Sequence, residues 1–548
     1  MNAPKNAGPL DDAAVEAIRA GYAFEAPALE MGALVNGEAR ADVPVRIPIA
    51  MTNRHGLVAG ATGTGKTKTL QVLAEQLSAA GVPVFAADIK GDLSGIASEG
   101  TSSEKLRERT ESIGQEWAPT ASPTEFFSLG GLGSGVPIRA SIESFGPLLL
   151  SKVLGLNNTQ ESSLGLVFHY AKKAELPLVE LADLRAVVSH LMSAEGKAEL
   201  TELGGLSKAT AGVILRELIN FADQGADVFF GQPQIDVAEF MRQSADGRGI
   251  VSLLEVPSVH DKPALFSTFL MWLLGELYAT LPEVGDLPQP KLVFFFDEAH
   301  LLFKDASKDF LSQVTQVVRL IRSKGVGIFF VTQTPKDVPS DVLAQLGSRV
   351  QHQLRAHTPD DAKALRATVS TYPNSGYELD EVLTTLATGE AIVTVMNEKG
   401  APSPVAWTRL RAPQGSMNPT DAAVIAAAVA ASPLTEKYGV AIDPSSAREK
   451  LATKAAQAEK SREQAAEVTA RAEALERQLA AEQKAAEKRI KDAQRAADKR
   501  AKTAERAAAK RAREEAARDE RRRKQAVNAG VRVARVLVNT LFGSSRKR

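Results

Sequence analysis

The chain has 548 residues, 44% of them hydrophobic and 24% charged, the balance of an ordinary soluble globular protein with room for two or three domains. It has no cysteine, which excludes a disulfide framework and thiolate-held zinc or iron–sulfur. The formal net charge of zero hides a division: from Pro444 onward about 29 Lys and Arg stand against about 15 Asp and Glu, so an acidic body carries a basic tail.

Such a tail suits nucleic acid, an acidic lipid surface or the acidic body itself. The first residues, MNAPKNAGPLDDAAVEAIRAGY, lack the basic-then-apolar pattern of a secretory signal, and a cytoplasmic protein is expected. Residues 1–55 read as a short leader with strand-like pieces at Met31–Asn36 and Val43–Ile49. From 56 to 97 the pattern is strand, glycine-rich loop, helix over Lys68–Ala80, strand and loop, the opening of a βαβ unit. Residues 98 to about 245 carry mainly helical periodicity, broken at Pro119, Pro123, Gly130–Gly135 and Pro177, and are expected as a helical insertion.

Near-continuous apolar runs then appear at Ile250–Val256, Leu292–Phe296 and Val326–Thr332, the pattern of parallel strands covered on both faces. Strand-like pieces follow at Arg349–Leu354 and Glu390–Met396. The most apolar stretch, Ala264–Leu281, carries Glu276 and lies between core strands, so a buried helix is expected there and no membrane span. Residues 413–443 read as a linker with a short Ala-rich helix. Residues 444–527 collapse to Ala, Lys, Arg, Glu and Gln, with high helix propensity. Val468 and Leu475 stand one heptad apart, but no heptad is sustained; a solvated single helix and an oligomeric coiled coil over about 465–492 both stay open. Residues 528–548 are expected as a basic amphipathic tail, docked on the body in preference to lying on a membrane surface.

The segment Gly60-Ala61-Thr62-Gly63-Thr64-Gly65-Lys66-Thr67 fits G-x-x-x-x-G-K-[ST], with a strand before it and a helix after it. Glycines let backbone N–H groups converge on a phosphate, and the helix N-terminus adds partial positive charge. Lys66 is expected to bridge the β- and γ-phosphates of ATP, and the Thr67 hydroxyl to ligate Mg2+. Asp297 closes an apolar strand, where the second carboxylate on the magnesium side belongs. Glu298, directly after it, is the expected general base that activates the attacking water. Gln333, at the end of the next strand, is placed to sense the γ-phosphate. These runs predict an α/β chain: a single RecA-like P-loop NTPase core over 56–412, mostly parallel sheet with helices on both faces, with the helical insertion and a long C-terminal charged helix.

Asp297-Glu-Ala-His300 spells DEAH, but a DEAH-box helicase holds ATP between two tandem lobes. After Gln333 only about 80 residues precede the linker, too few for a second lobe of ordinary domain size. His300 is expected simply to begin a helix. With one lobe, the nucleotide is open on one side, so an arginine from a neighbouring subunit must close it, which predicts a head-to-tail homo-oligomer. Arg349 is the leading candidate, with Arg355, Arg319 and Arg322 as others.

Taken together, GATGTGKT, Val84-FAADIKGDLSG-95, LVFFFDEAH, Gly325-VGIFFVTQTPKDVP-339 and LGSRVQHQLRAHTP resemble the HerA–FtsK group of P-loop ATPases, most closely its bacterial HerA-like branch typified by YjgR. The resemblance implies a hexameric ring using Mg·ATP, with relatives that translocate double-stranded DNA. It gives Lys66 and Thr67 the Walker A roles, Asp297 and Glu298 the Walker B roles, Gln333 the sensor role and Arg349 the trans finger. Two other functions stay open: a motor acting on a protein partner, as in secretion and conjugation ATPases, and a nucleotide-binding coiled-coil scaffold.

Overall fold

The structure is a computed structural model of the full chain and describes residues 8–200, 204–255, 263–303 and 308–533. Its centre is one 12-stranded sheet. In chain order the strands are β1 (Ala28–Asn36), β2 (Glu38–Pro48), β3 (Gly56–Ala59), β4 (Val84–Asp88), β5 (Thr124–Leu129) and β6 (Val136–Ile138), then β7 (Val251–Glu255), β8 (Leu292–Phe296), β9 (Val326–Thr332), β10 (Ser348–Gln351), β11 (Glu390–Thr394) and β12 (Ala406–Leu410). Across the sheet they lie β2-β1-β12-β11-β10-β3-β9-β8-β4-β7-β5-β6. The block from β10 to β6 is parallel, and β11, β12, β1 and β2 extend it antiparallel.

The apolar runs explain the parallel block. Every residue of β8 and β9 is buried, because alternate side chains enter two separate cores. Phe294, Phe296 and Phe330 join Phe85 on one face, under the helix Pro263–Thr280 with its buried Phe269 and Trp272. Phe295 and Phe329 enter the other, their rings 5.3 Å apart, under Leu70, Leu73 and Leu77 of the helix Lys66–Ala79. Pro263–Thr280 is thus the buried helix its position between core strands predicts. Among the described residues, no helix is long and apolar enough to cross a membrane.

Three expected boundaries differ in the structure. The stretch 98–245 is not all insertion: Thr124-Glu-Phe-Phe-Ser-Leu129 and Val136–Ile138 join the sheet as β5 and β6, one short helix, Glu104–Ser112, precedes them, and the other helices form between Ile142 and Asp223. The leader is no appendage, since β1 and β2 carry the sheet on beyond β12. Residues 413–443, expected as a linker, begin as a strap across the helix Lys66–Ala79. There Glu75 accepts Gln414 N–H at 2.8 Å and Gly415 N–H at 2.9 Å, and Lys68 Nζ donates to Met417 O at 2.7 Å.

The chain divides into two compact units, Met1–Thr453 and Lys454–Arg548. The helix Ala447–Val533 supplies all described structure of the second. Most of the expected amphipathic tail, residues 534–548, lies outside the described residues.

Candidate active site

The phosphate loop leaves the carboxyl end of β3 and is fixed by both neighbouring strands. Gly60 N–H donates to Thr332 O of β9 at 3.2 Å, and Ala61 N–H donates to Gln353 O, just past β10, at 2.8 Å. A Cβ on Gly60 would stand 2.4 Å from His352 Cβ, so the close approach of the next strand requires glycine there. Gly63 and Gly65 hold φ of 83° and 110°, left-handed values that glycine adopts without cost. Lys66 opens the helix, and its Nζ donates to Ala61 O of its own loop at 3.2 Å. Burial lowers the Lys66 pKa, opposed by the charges of Glu298 and Asp297, so the lysine and both acids share one electrostatic environment. His352 is buried beneath the loop with Nε2 2.9 Å from Thr69 Oγ1; burial and the Lys66 charge push its pKa down to about 3, which keeps it neutral.

The two acids sit at the end of β8, separated from β3 by β9 alone. Glu298 has φ of 49°, a left-handed conformation that costs a non-glycine residue about 1–2 kcal/mol. The turn is held from both sides: Asp297 Oδ1 accepts Glu298 N–H at 2.9 Å, and Ala299 N–H donates to Val331 O at 2.8 Å. Burial, reinforced by the Glu298 charge, pushes the Asp297 carboxyl up to about 7. Burial also acts to raise Glu298, yet its pKa ends below the ordinary value because the Lys90 ammonium pairs with it. His300 begins its helix as expected, with Nδ1 3.2 Å from Glu298 Oε2.

Lys90 is the residue that sequence reasoning missed. It lies in the loop after β4, inside the quoted DIKGD segment, 208 positions before its partner. Asp88 aims it: the buried Asp88 carboxylate accepts N–H groups from Gly91 at 2.8 Å and Leu93 at 2.7 Å, folding the loop back toward β8. If Glu298 acts as a base, Lys90 sets the pH at which it becomes competent. A Lys90→Met variant is expected to shift the acidic limb of the kcat–pH profile to higher pH, because removing the cation lets burial raise the carboxyl. An unmoved limb would remove Lys90 from this role.

Gln333 follows β9, whose Thr332 pairs with Ala59, so it stands level with Gly60 and between the two motifs. Its loop is fixed by Asp337 Oδ2, which accepts Thr332 Oγ1–H at 2.8 Å and Thr334 N–H at 3.2 Å. With Ala61, Thr62, Lys336 and Arg355 it lines a cleft of about 280 Å³. Arg355 reaches the chain's own loop, donating to Thr62 O at 3.3 Å. Arg349 does not: it pairs in register with Leu57, near the amino end of β3, and its Nη1 donates to Thr371 Oγ1 at 2.7 Å. Arg319 and Arg322, ahead of β9, line a second cleft with Arg54 at that same end of the sheet. The structure therefore separates the arginine candidates into Arg355 beside the loop and the others away from it.

No group of three or more His, Asp or Glu side chains able to hold a metal occurs among the described residues. The oxygen donors present, one hydroxyl at Thr67 and one carboxylate at Asp297, fit an ion that completes its shell with phosphate oxygens and water, the habit of Mg2+.

The family model described as helicase HerA-like C-terminal matches residues 34–548. Probable helicase MJECL08 of Methanocaldococcus jannaschii is 25% identical over 354 residues, which cover 63% of this chain and 64% of that protein. The DNA double-strand break repair helicase HerA of Sulfurisphaera tokodaii is 23% identical over 382 residues, 68% of this chain and 67% of that one. The chain thus spans 64% and 67% of the length of these two curated relatives. Among solved structures, the plasmid coupling protein TrwB in complex with a non-hydrolysable ATP analogue has the same fold, with a TM-score of 0.50 at 15% identity over 77% of this chain and 97% of that one.

Proposed function

This chain belongs to the helicase HerA-like C-terminal family of P-loop ATPases, and from that premise we propose that it is an oligomeric Mg·ATP-hydrolysing motor that translocates on or remodels double-stranded DNA. The observation that carries the hydrolysis part of this reading is the setting of Glu298: a buried carboxylate, held in a strained turn within electrostatic reach of Lys66, where an acid must stand to take a proton from water. Lys66 and the loop N–H groups hold the phosphates, Glu298 accepts the proton of the attacking water, and Gln333 reports the state of the γ-phosphate. Thr67 and Asp297 would hold Mg2+ from the protein side, and the ion would supply charge neutralisation on the phosphates.

The arginines support a ring. Arg349, Arg319 and Arg322 lie away from the chain's own phosphate loop, at the amino ends of the parallel strands. A head-to-tail arrangement sets unlike surfaces of neighbouring subunits against each other, so this end can meet the next subunit's nucleotide. The substrate is tested by ATP turnover with and without duplex DNA at low and moderate salt. Stimulation of about 10-fold that weakens as salt rises is expected, since phosphate contacts release counterions. Turnover indifferent to DNA in both conditions, yet raised by a protein partner, is the result that would move the assignment to a protein-acting motor.

A further inference from the structure

The charged helix has a period that a heptad template misses. Residues 479–489 (LAAEQKAAEKR), 490–500 (IKDAQRAADKR) and 501–511 (AKTAERAAAKR) repeat every 11 residues, and 468–478 and 512–522 fit the same frame. Eleven residues in three turns is about 3.67 per turn, close to the period of an α-helix, so columns of the repeat run nearly straight along it. From 468 to 512 the first and eighth columns form one apolar stripe, Val468, Leu475, Leu479, Ala486, Ile490, Ala497, Ala501, Ala508 and Ala512, spaced alternately seven and four, and Asp519 at the next position ends it. Its large members are open to solvent in the single chain, Val468 at 68%, Leu475 at 57%, Leu479 at 51% and Ile490 at 60% exposure.

The flanks of that stripe carry opposite charge. The eleventh column, about 80° to one side, holds Arg489, Arg500, Arg511 and Arg522; the ninth, about 80° to the other, holds Glu476, Glu487, Asp498 and Glu520. When two copies of a helix pair in parallel, each helix sets one flank against the opposite flank of its partner; in an antiparallel pair, like flanks meet. Parallel pairing of this sequence places Arg489 and Arg500 beside Glu487 and Asp498, with Gln478 beside Glu476 and Arg511 beside Ala509, and antiparallel pairing places arginines against arginines.

We propose that residues 468–512 form a parallel, in-register coiled coil with a second copy of this chain, joined along the Val468-to-Ala512 stripe and selected for direction by its oppositely charged flanks. Large residues fill the start of the stripe and, Ile490 aside, alanines fill it from Ala486 to Ala512, so the helices approach more closely toward that end, and the 11-residue period gives a right-handed or nearly straight pair. The pairing does not depend on the ATPase reading, and its test does not use turnover.

The absence of cysteine makes that test clean. In the full chain, Leu479→Cys and Ile490→Cys each place one thiol in the stripe, and Lys488→Cys places one on the opposite side of the helix. Under mild oxidation, disulfide-linked dimers are expected at least about 10-fold faster at 479 and 490 than at 488, since only facing residues in parallel register meet the geometry of the bond. Adding Glu476→Lys, Glu487→Lys and Asp498→Lys to Leu479→Cys should slow cross-linking about 10-fold, because arginine flanks then face lysines. Mixing that variant with Leu479→Cys chains bearing Arg489→Glu, Arg500→Glu and Arg511→Glu should restore it through hetero-pairs. No dimer at 479 and 490, equal rates at 488, or indifference to charge reversal overturns the pairing and leaves a solvated single helix.

Discussion

Replacing Glu298 by Gln is expected to lower ATP turnover by about 10²–10⁴-fold, the range spanned by general-base catalysis, while nucleotide affinity stays within about 3-fold. The substitution keeps size and an oxygen acceptor for Lys90 but removes the basic electron pair. On the proposed reading nucleotide is held by the other motif, Lys66 and the loop that bonds to Thr332 of β9 and to Gln353 just past β10, so binding should survive the loss of chemistry. Parallel measurement of steady-state hydrolysis and of fluorescent-nucleotide binding separates the two effects. Undiminished turnover would remove Glu298 as the base; loss of binding and turnover together would make it a structural residue of the β8 turn.

Replacing Arg349 by Ala is expected to cost about 10³-fold in turnover or more, the size of an arginine-finger effect, again with nucleotide binding retained. In the single chain its Nη1 donates to Thr371 Oγ1. It is half-exposed at the sheet end, so its removal should change stability by less than about 0.5 kcal/mol, as for other surface substitutions. A large loss of activity with little loss of stability therefore points to a partner outside the chain. Arg355 is the control: it touches Thr62 of its own loop, and a finger at that position would act within one subunit.

Local chemistry made much of this legible. The phosphate loop is one contiguous segment with its strand and helix attached, and Asp297-Glu298 closes a run of five buried residues. Strand runs such as LVFFF and VGIFFVT announce burial on both faces because both faces are buried. What stayed hidden depends on partners far away in sequence. TEFFSL joins the sheet by pairing with β7, more than 120 positions on, and only its end pairs with the nearby β6. The strap over residues 414–417 looks like a linker because backbone N–H groups, which carry no letter, make its contacts with Glu75. Lys90 is one lysine among many until Asp88 folds its loop onto Glu298. The 11-residue period was masked because alanine fills most of the stripe, leaving few large residues to mark it.

A mixing experiment tests most directly that each site is built from two subunits. Glu298→Gln chains keep Arg349, and Arg349→Ala chains keep Glu298, so each assembly alone should be nearly inactive. In an equal mixture allowed to exchange subunits, about a quarter of the head-to-tail interfaces join an intact acid to an intact arginine, and turnover should recover toward that fraction of the native rate. An exchanged mixture no more active than its parents would contradict the account, as would Arg349→Ala chains that hydrolyse ATP at the native rate on their own.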